Sequence, residues 1–572
     1  MGKNNSPVLC EIPEGDCMSL EINYLDAPEG AQEMATATGK NANSLSKDIT
    51  VISGAKDIPW ATLEPGVWRL DGTRKILPDG QDPGWWSKER SGGNCQFSLR
   101  PKITISFPFP YTSTGFTFTF SPSTNQYCSE IHVTWYNGNT LLANGTYHPD
   151  SPRWTLEETV NSFDTVVIEL IATNNPGQFA KIQRIEIGRT VLLGASEIVK
   201  VNLLNEIDAT LCSIPYDMMT FEIHDSKNRT FLPQENQRVE LIQDGNLRAV
   251  QYIKSSTRKS KSDYTIKCQS SIGLLNDDFL GGLYSEKPIR DLLTEILGGW
   301  EYDLDRDFES MTVTGYIPVC TQREALQMVA FAIGAMVTTQ DSAKIRLLPI
   351  PTMVSGRFTA NDIFNGGNVK TASRYAKVEI YSHTYSKSTE SEVLMEEEEI
   401  DGEDVLITFM SPYYDYSITG GIITGSDVNW ITITASGPVT VNAKRYLHNT
   451  RAHVKRNPEA TAKERGNVIS VKEATLINSG NVQKALDRLY ASVQRVQTTQ
   501  QNVIVADHKA GQMVSSLTPW GTITRGFLSS MDSTITQNDH TAAIQIHGIE
   551  VTMESVWYYS GELYSGDMEV LY

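Results

Sequence analysis

KITISFPFPYTSTGFTFTF, residues 102–120, decides the fold class. Ile103, Ile105 and Phe107 alternate with polar residues. After the turn PYTSTG, Phe116, Phe118 and Phe120 share one face, with Thr117 and Thr119 on the other. Successive side chains of a strand point to opposite faces, so the stretch predicts two half-buried strands joined by a polar turn. The pattern continues in IHVTWY (131–136), where Ile131, Val133 and Trp135 are in phase, and in FDTVVIELIATN (163–174), which reads as a fully buried strand. KIQRIEIG (181–188) supplies a last strand, and SPSTNQ, YNGNT and NNPGQ supply turns. Short strands at this spacing predict a jelly-roll-type β-sandwich over residues 49–195.

Upstream, IPWATLEPGVWRLDGTRKILPDGQDPGWWS (58–87) holds four of the ten tryptophans: Trp60, Trp68, Trp85 and Trp86. Pro59, Pro65, Pro78 and Pro83 deny this stretch regular ladder bonding, so burial of large rings must hold it. We read the rings as wedges against the sandwich rather than as a binding platform. Residues 1–48 are polar, with few apolar positions, and read as an extended arm.

Downstream, strand-like runs (MMTFEIHD, RVELIQD, LRAVQYIKSS, DYTIKCQSS) precede two helices. Ile289, Leu292, Leu293, Ile296 and Leu297 form one helical stripe, ended by Gly298 and Gly299. Thr321 and Glu324 have capping-box spacing ahead of a second helix. Residues 196–360 therefore form one strand-and-helix region, and 361–572 a second. The latter contains the acidic run Glu396–Glu399 and a helix marked by Val482, Ala485, Leu486, Leu489, Tyr490, Val493 and Val496. The fold class is mainly β with minor α.

A length of 572 residues suggests about three or four domains. With 49 basic and 68 acidic residues the formal charge is −19, which argues against a DNA-coating or anionic-membrane protein. No apolar run of about 18 residues occurs, so no membrane insertion is expected. Seven scattered cysteines, with no CxxC or Cys/His cluster, predict reduced and mostly buried thiols rather than zinc or a disulfide framework.

No catalytic constellation stands out. GxSxG, HExxH, P-loop and dinucleotide fingerprints are absent, and Cys95 in GGNC reads as a turn residue. Asp303, Asp305 and Asp307 alternate like a calcium loop. However, Phe308 and Thr314 stand where an EF-hand needs Gly and Glu, so a solvated acidic turn is the better reading. No catalytic residue, metal ligand or cofactor is predicted. Sugar binding is the remaining chemistry, because an aromatic face packs on a pyranose ring. Tyr136 and Trp154 are the preferred candidates, with Tyr147 beside His148; Trp135 is in phase with the core and is expected to be buried.

ATLEPGVWRLDGTRKILPDG, GWWS, KIQRIEIG, the passage from QYIKSSTRKSKSDYTIKCQSSIGLLNDDFLGGLY to AKIRLLPIP, and IVADHKAGQMVSSLTPWGTITRGFLSSMDSTI resemble baseplate or tail-tip hub proteins. These belong to tailed phages and phage-derived particles of Gram-positive hosts. The resemblance spans about residues 50–572 and carries no catalytic motif. It implies hub-type β-barrels in 196–360 and 361–572 with interleaved helices, and an inserted carbohydrate-binding-like sandwich. It further implies a homotrimeric ring around the DNA exit path, located in the virion and made in the host cytoplasm. Expected partners are tail tube, distal tail, tip or spike and tape-measure proteins, with a host surface glycan as a further ligand and no specific nucleic acid. A glycan-binding adhesin is the alternative function, and a tail glycan hydrolase a weaker one. The strands around 201–270 and 500–550 are the expected edges for pairing with a neighbouring chain.

Overall fold

The computed structural model describes residues 20–26, 34–40, 42, 64–65, 84–113, 115–194, 196–225, 233, 235–243, 246–364, 366–536 and 539–551. Trp60, Trp68, Cys10 and Cys17 lie outside them. The protein is mainly β and divides into two compact units.

The first unit spans residues 22–193 with 232–239 and is a β-sandwich. One sheet has the order Thr36–Lys40, Lys102–Ser113, Val160–Thr173, Cys128–Asn137, Thr140–Tyr147, all antiparallel. Phe116–Thr119 pairs with Arg184–Ile187 and Arg153–Leu156 in a second sheet, and Trp85–Arg90 pairs with Phe179–Ile182. The alternation read from the sequence is the packing: Ile103, Ile105, Phe116, Phe118, Phe120, Ile131, Val133 and Trp135 are buried in one core. Phe116 meets Trp135 across it at 6.4 Å and Phe163 at 6.0 Å.

Residues 36–40, read as part of an arm, form an edge strand of this sandwich. Gly39 lies against the Trp85 indole, where a Cβ would stand 2.2 Å from Nε1. No side chain fits at position 39 beneath that ring, so the strand TATGK lacks an apolar residue there and shows only a weak alternation in sequence. Trp85 and Trp86 are themselves buried. Next to them Lys181 Nζ lies 2.5 Å from Glu64 Oε2, 2.6 Å from Gln126 Oε1 and 4.6 Å from the Trp86 ring centre. Glu64 also accepts from the Phe179 amide and from Gln126 Nε2. This buried pair fixes the position of Glu64, from the motif ATLEPG, in the sandwich. A buried carboxylate must be matched this fully, because an unmatched one costs several kcal/mol.

The second unit spans 1–21, 194–231 and 240–572. Its main sheet runs Asn246–Arg258, Asp263–Gln269, Met218–His224, Ile198–Glu206, Ile523–Ile535, His540–Val551, Gln497–Ile504, Asn368–Thr371. Of the strands around 201–270 and 500–550, the expected edges for a neighbouring chain, several pair with one another within the chain. Ile198–Glu206 pairs with both Met218–His224 and Ile523–Ile535. The sheet thus takes strands from both sides of residue 360. Pairing within the chain satisfies the same backbone groups without the entropy lost on association.

The three predicted helices converge in one core. Ile289–Leu297 buries all five of its stripe residues. Gln322–Ile333 carries the reciprocal Thr321/Glu324 capping box, and Val482–Val493 buries Val482, Ala485, Leu486, Leu489 and Val493. Asp305, from the calcium-like run, caps the short Arg306–Glu309 helix by accepting from the Asp307 amide at 3.0 Å. That bond gives the acidic turn a structural role. Among the described residues no group of three or more His, Cys, Asp or Glu could hold a metal. Of the described cysteines, Cys128 and Cys268 are buried, Cys95 and Cys320 half-buried and Cys212 exposed, all as free thiols. Burial pushes the Cys128 and Cys268 thiols well up, which keeps them protonated and unreactive.

Candidate functional site

Two places combine exposure with chemistry, one in each unit. In the sandwich, the glycan candidates divide between two faces of a sheet. Trp135 is buried, and its neighbour Tyr136 pairs with Thr165 on the outer face. Tyr147 and Trp154 sit instead at the margin of the core, both half-buried. Their rings are 6.4 Å apart; Trp135 meets Tyr147 edge-on at 6.3 Å, and Trp154 meets Phe118 at 5.9 Å. Tyr147 donates to Glu158 Oε2 at 3.4 Å, and burial with that carboxylate pushes its phenol up to about 12. The structure therefore brings Tyr147 and Trp154 together and leaves Tyr136 apart. One sugar ring can stack on the former pair or on Tyr136, but not on both.

In the second unit, Lys377–Thr408, Tyr413–Asp427 and Trp430–Arg456 form a sheet of unusually long strands. The first pairs with the third along almost its whole length, interrupted by four register shifts, and the second pairs with the third from Asp427↔Trp430 to Tyr413↔Arg445. Left-handed backbone at Glu397, Asp404 and Gly420, and φ 141° at Gly437, mark the bends. Tyr413 pairs with Arg445 while its amide donates to the Val428 carbonyl at 2.8 Å, so the intervening strand curls back on itself. A Cβ on Gly420 would stand 2.2 Å from the Pro438 carbonyl oxygen, which makes glycine obligatory at that bend.

The curled sheet encloses a small core of Ile431, Ile433, Ala435, Val439 and Val441, lined by Leu394, Ile407 and Tyr416 among others. Its outside is the unusual part. Met410 is 80% exposed, Ile422 68% and Val393 55%. The segment from Glu390 to Ala443 contains eleven Asp and Glu and no Lys, Arg or His. Glu390 and Glu392 are neutralised by Arg445, and Asp415 by Lys444 at 2.6 Å. Glu396–Glu399, Asp401, Glu403, Asp404 and Asp427 make no ion pair with described residues.

At the base of this sheet His383 Nδ1 and His448 Nε2 are 2.8 Å apart, and Tyr385 stacks on His448 at 4.5 Å. Burial holds both imidazoles below their usual range, with His448 further lowering His383, so the pair is neutral near pH 7. Sequence reading found the run Glu396–Glu399 but not the segment around it. Counting charge in windows longer than the run would have exposed a stretch this long without a cation.

No protein-family model matches the chain, and no curated protein matches it in sequence. Among solved structures it is similar to the 43 kDa tail protein of prophage MuSo2 from Shewanella oneidensis. The identity is 10%, over 63% of this chain and 95% of that one, with a TM-score of 0.40. It is also similar to prophage tail protein gp18 from Listeria monocytogenes EGD-e, at 11% identity over 62% of this chain and 91% of that one, with a TM-score of 0.36. Over 30% of its length the chain is similar to the family 32 carbohydrate-binding module of C. perfringens NanJ, solved with galactose. That match covers 99% of the module, at 15% identity and a TM-score of 0.19.

Proposed function

We propose that this chain is a structural component of a phage tail or phage-derived particle, a baseplate or tail-tip hub without catalytic activity. It acts as a homotrimer around the DNA exit path, between the tail tube and the tip, in contact with distal tail, spike and tape-measure proteins. The hub role, the trimer and the Gram-positive host class come from the sequence resemblance. The observation that carries the reading is the curled sheet, whose exposed apolar residues lie beside unneutralised carboxylates. Such a surface is costly on a free monomer and suits a part covered in an assembly. The acidic balance also suits a wall past which DNA slides without being held. Labelling the chain with gold-conjugated antibody in intact particles tests this. Label confined to the distal end of the tail is the expected result; particles that lack the chain would contradict it.

A second reading coexists with the first: the sandwich binds a host surface glycan. The half-buried pair Tyr147 and Trp154, with the Glu158 carboxylate beside it, favours this, since stacking faces and a hydrogen-bond acceptor are what a pyranose requires. Glycan-array binding by the full chain, lost in Trp154→Ala and retained in Tyr136→Ala, would support it. Loss confined to Tyr136→Ala would move the site to the outer face.

A further inference from the structure

The strand Trp430–Arg456 has a partner on each side only as far as Arg445. Beyond the Tyr446 amide, which donates to the Pro412 carbonyl, Leu447–Arg456 pairs with Lys377–Ser386 on one side and, among the described residues, has no strand on the other. Among the described residues the strand Tyr413–Asp427 likewise pairs with Trp430–Arg445 alone. The curled sheet thus ends in two open edges, and each presents a row of unpaired backbone groups. Their surroundings have opposite charge. Tyr413–Asp427 lies in the segment with eleven carboxylates and no cation, whereas Lys444 to Arg465 holds seven Lys and Arg against Glu459 and Glu464. On the basic edge Arg451 and Arg456 make no ion pair with described residues, and Leu447 and Val454 are exposed beside them.

We propose that the basic edge Leu447–Arg456 of one copy receives the edge strand Tyr413–Asp427 of a second copy, whose own carboxylates are Asp427 and the Lys444-paired Asp415 and which sits within the acidic segment, continuing the sheet from chain to chain. This rests on the reading above that copies of the chain assemble, and it names the surfaces that do so. Three features select a second copy as the occupant. Both edges offer backbone groups that only an extended strand can satisfy. Their charges are complementary within one sequence. Apolar side chains, Ile422 on one edge and Leu447 and Val454 on the other, are exposed where the seam would cover them. Because a different patch meets its complement, the contact is heterologous, and repeating it gives a closed ring or an open filament. Opposite charge supplies register and speed of encounter, and strand pairing supplies persistence.

The test uses the full chain and two charge-reversed variants, Arg451→Glu/Arg456→Glu and Asp415→Lys/Asp427→Lys, each first shown by circular dichroism to be folded. Sedimentation at low salt should show wild type associating and each variant alone weakened by about tenfold or more. An equimolar mixture should regain association as open or even-numbered assemblies, because each variant then meets a complementary edge only on the other and a ring of three cannot alternate. Hydrogen exchange should show the Leu447–Arg456 amides that do not bond Lys377–Ser386 gaining protection in the associated form. Wild type that oligomerises while both variants oligomerise equally well would overturn these edges and leave the ring reading standing. Association without that gain in protection would overturn the strand pairing. A chain that is monomeric both in solution and in the particle would overturn the assembly itself.

Discussion

The sandwich and the curled sheet are both antiparallel β structure, yet they rest on different interiors. The sandwich buries Trp85, Trp135, Phe116, Phe118, Phe120 and Phe163 completely, and its buried cation Lys181 is matched by Glu64, Gln126 and an indole face. The curled sheet fully buries no aromatic ring; its interior is Ile431, Ile433, Ala435, Val439 and Val441, while carboxylates and aliphatic side chains crowd its outside. Large rings contribute the most burial per residue. The sandwich therefore has the core of a self-sufficient module, and the curled sheet has the surface of a part meant to be covered.

The strongest way to break this contrast is Trp135→Ala. Truncating a ring this deep in the sandwich is expected to destabilise it by about 3–5 kcal/mol. Chemical denaturation of the full chain should show a sandwich transition moved to lower denaturant, with the second unit's transition unmoved. Normal stability with lost glycan binding would instead make Trp135 a ligand-contacting ring.

The counterpart in the curled sheet is Gly420→Val. It places a β-branched residue at φ 90° and a Cβ against the Pro438 carbonyl. A cost of about 1–3 kcal/mol is expected, with faster hydrogen exchange across Tyr413–Asp427 and an unchanged sandwich. Unchanged exchange there would mean that the bend does not need glycine.

Trp154→Ala sharpens the functional side of the comparison. Removing a half-buried stacking ring at the core margin should weaken glycan binding by about 1–2 kcal/mol, measured by calorimetry, and cost less stability than Trp135→Ala. Equal loss of stability and binding would show Trp154 to be core.

A smaller and local effect is expected from pH. Protonation of His383 and His448 is disfavoured in the folded chain, so the unfolded state binds more protons as pH falls below its ordinary histidine value near 6.5. The stabilisation is present above that value and is lost as pH falls through the depressed folded values. Two imidazolium rings 2.8 Å apart would also repel. The protection of the Ser382–Tyr385 and Tyr446–Thr450 amides, taken relative to the intrinsic exchange rate at each pH, should therefore fall on acidification from pH 7 to 5, and His448→Gln should abolish that fall.

The sandwich strands were legible because Ile103, Ile105, Phe107 and Phe116, Phe118, Phe120 each obey a period of two, and the helices because their stripes and the Thr321/Glu324 cap are local signals. Thr36–Lys40 was hidden because its Gly39 answers to the Trp85 ring, a neighbour distant in sequence. The pairing of Ile198–Glu206 with Ile523–Ile535 joins segments more than 300 residues apart and leaves no local trace. The buried pair Glu64 and Lys181 leaves no local sequence signal, since burial of a matched pair is a property of the fold. Of the candidate site, the residue types were legible; which of Tyr136, Tyr147 and Trp154 meet depended on a register that only the paired strands define.

A repeated structural part of a tail must be present in several copies, so the copy number of this chain per particle is the most direct test. Quantitative mass spectrometry of purified intact particles, calibrated with isotope-labelled peptides of this chain, is expected to give three copies per tail, and reconstruction of the tail end should place them in a ring. One copy per particle, or a chain absent from particles and active on glycan as a free enzyme, would contradict it.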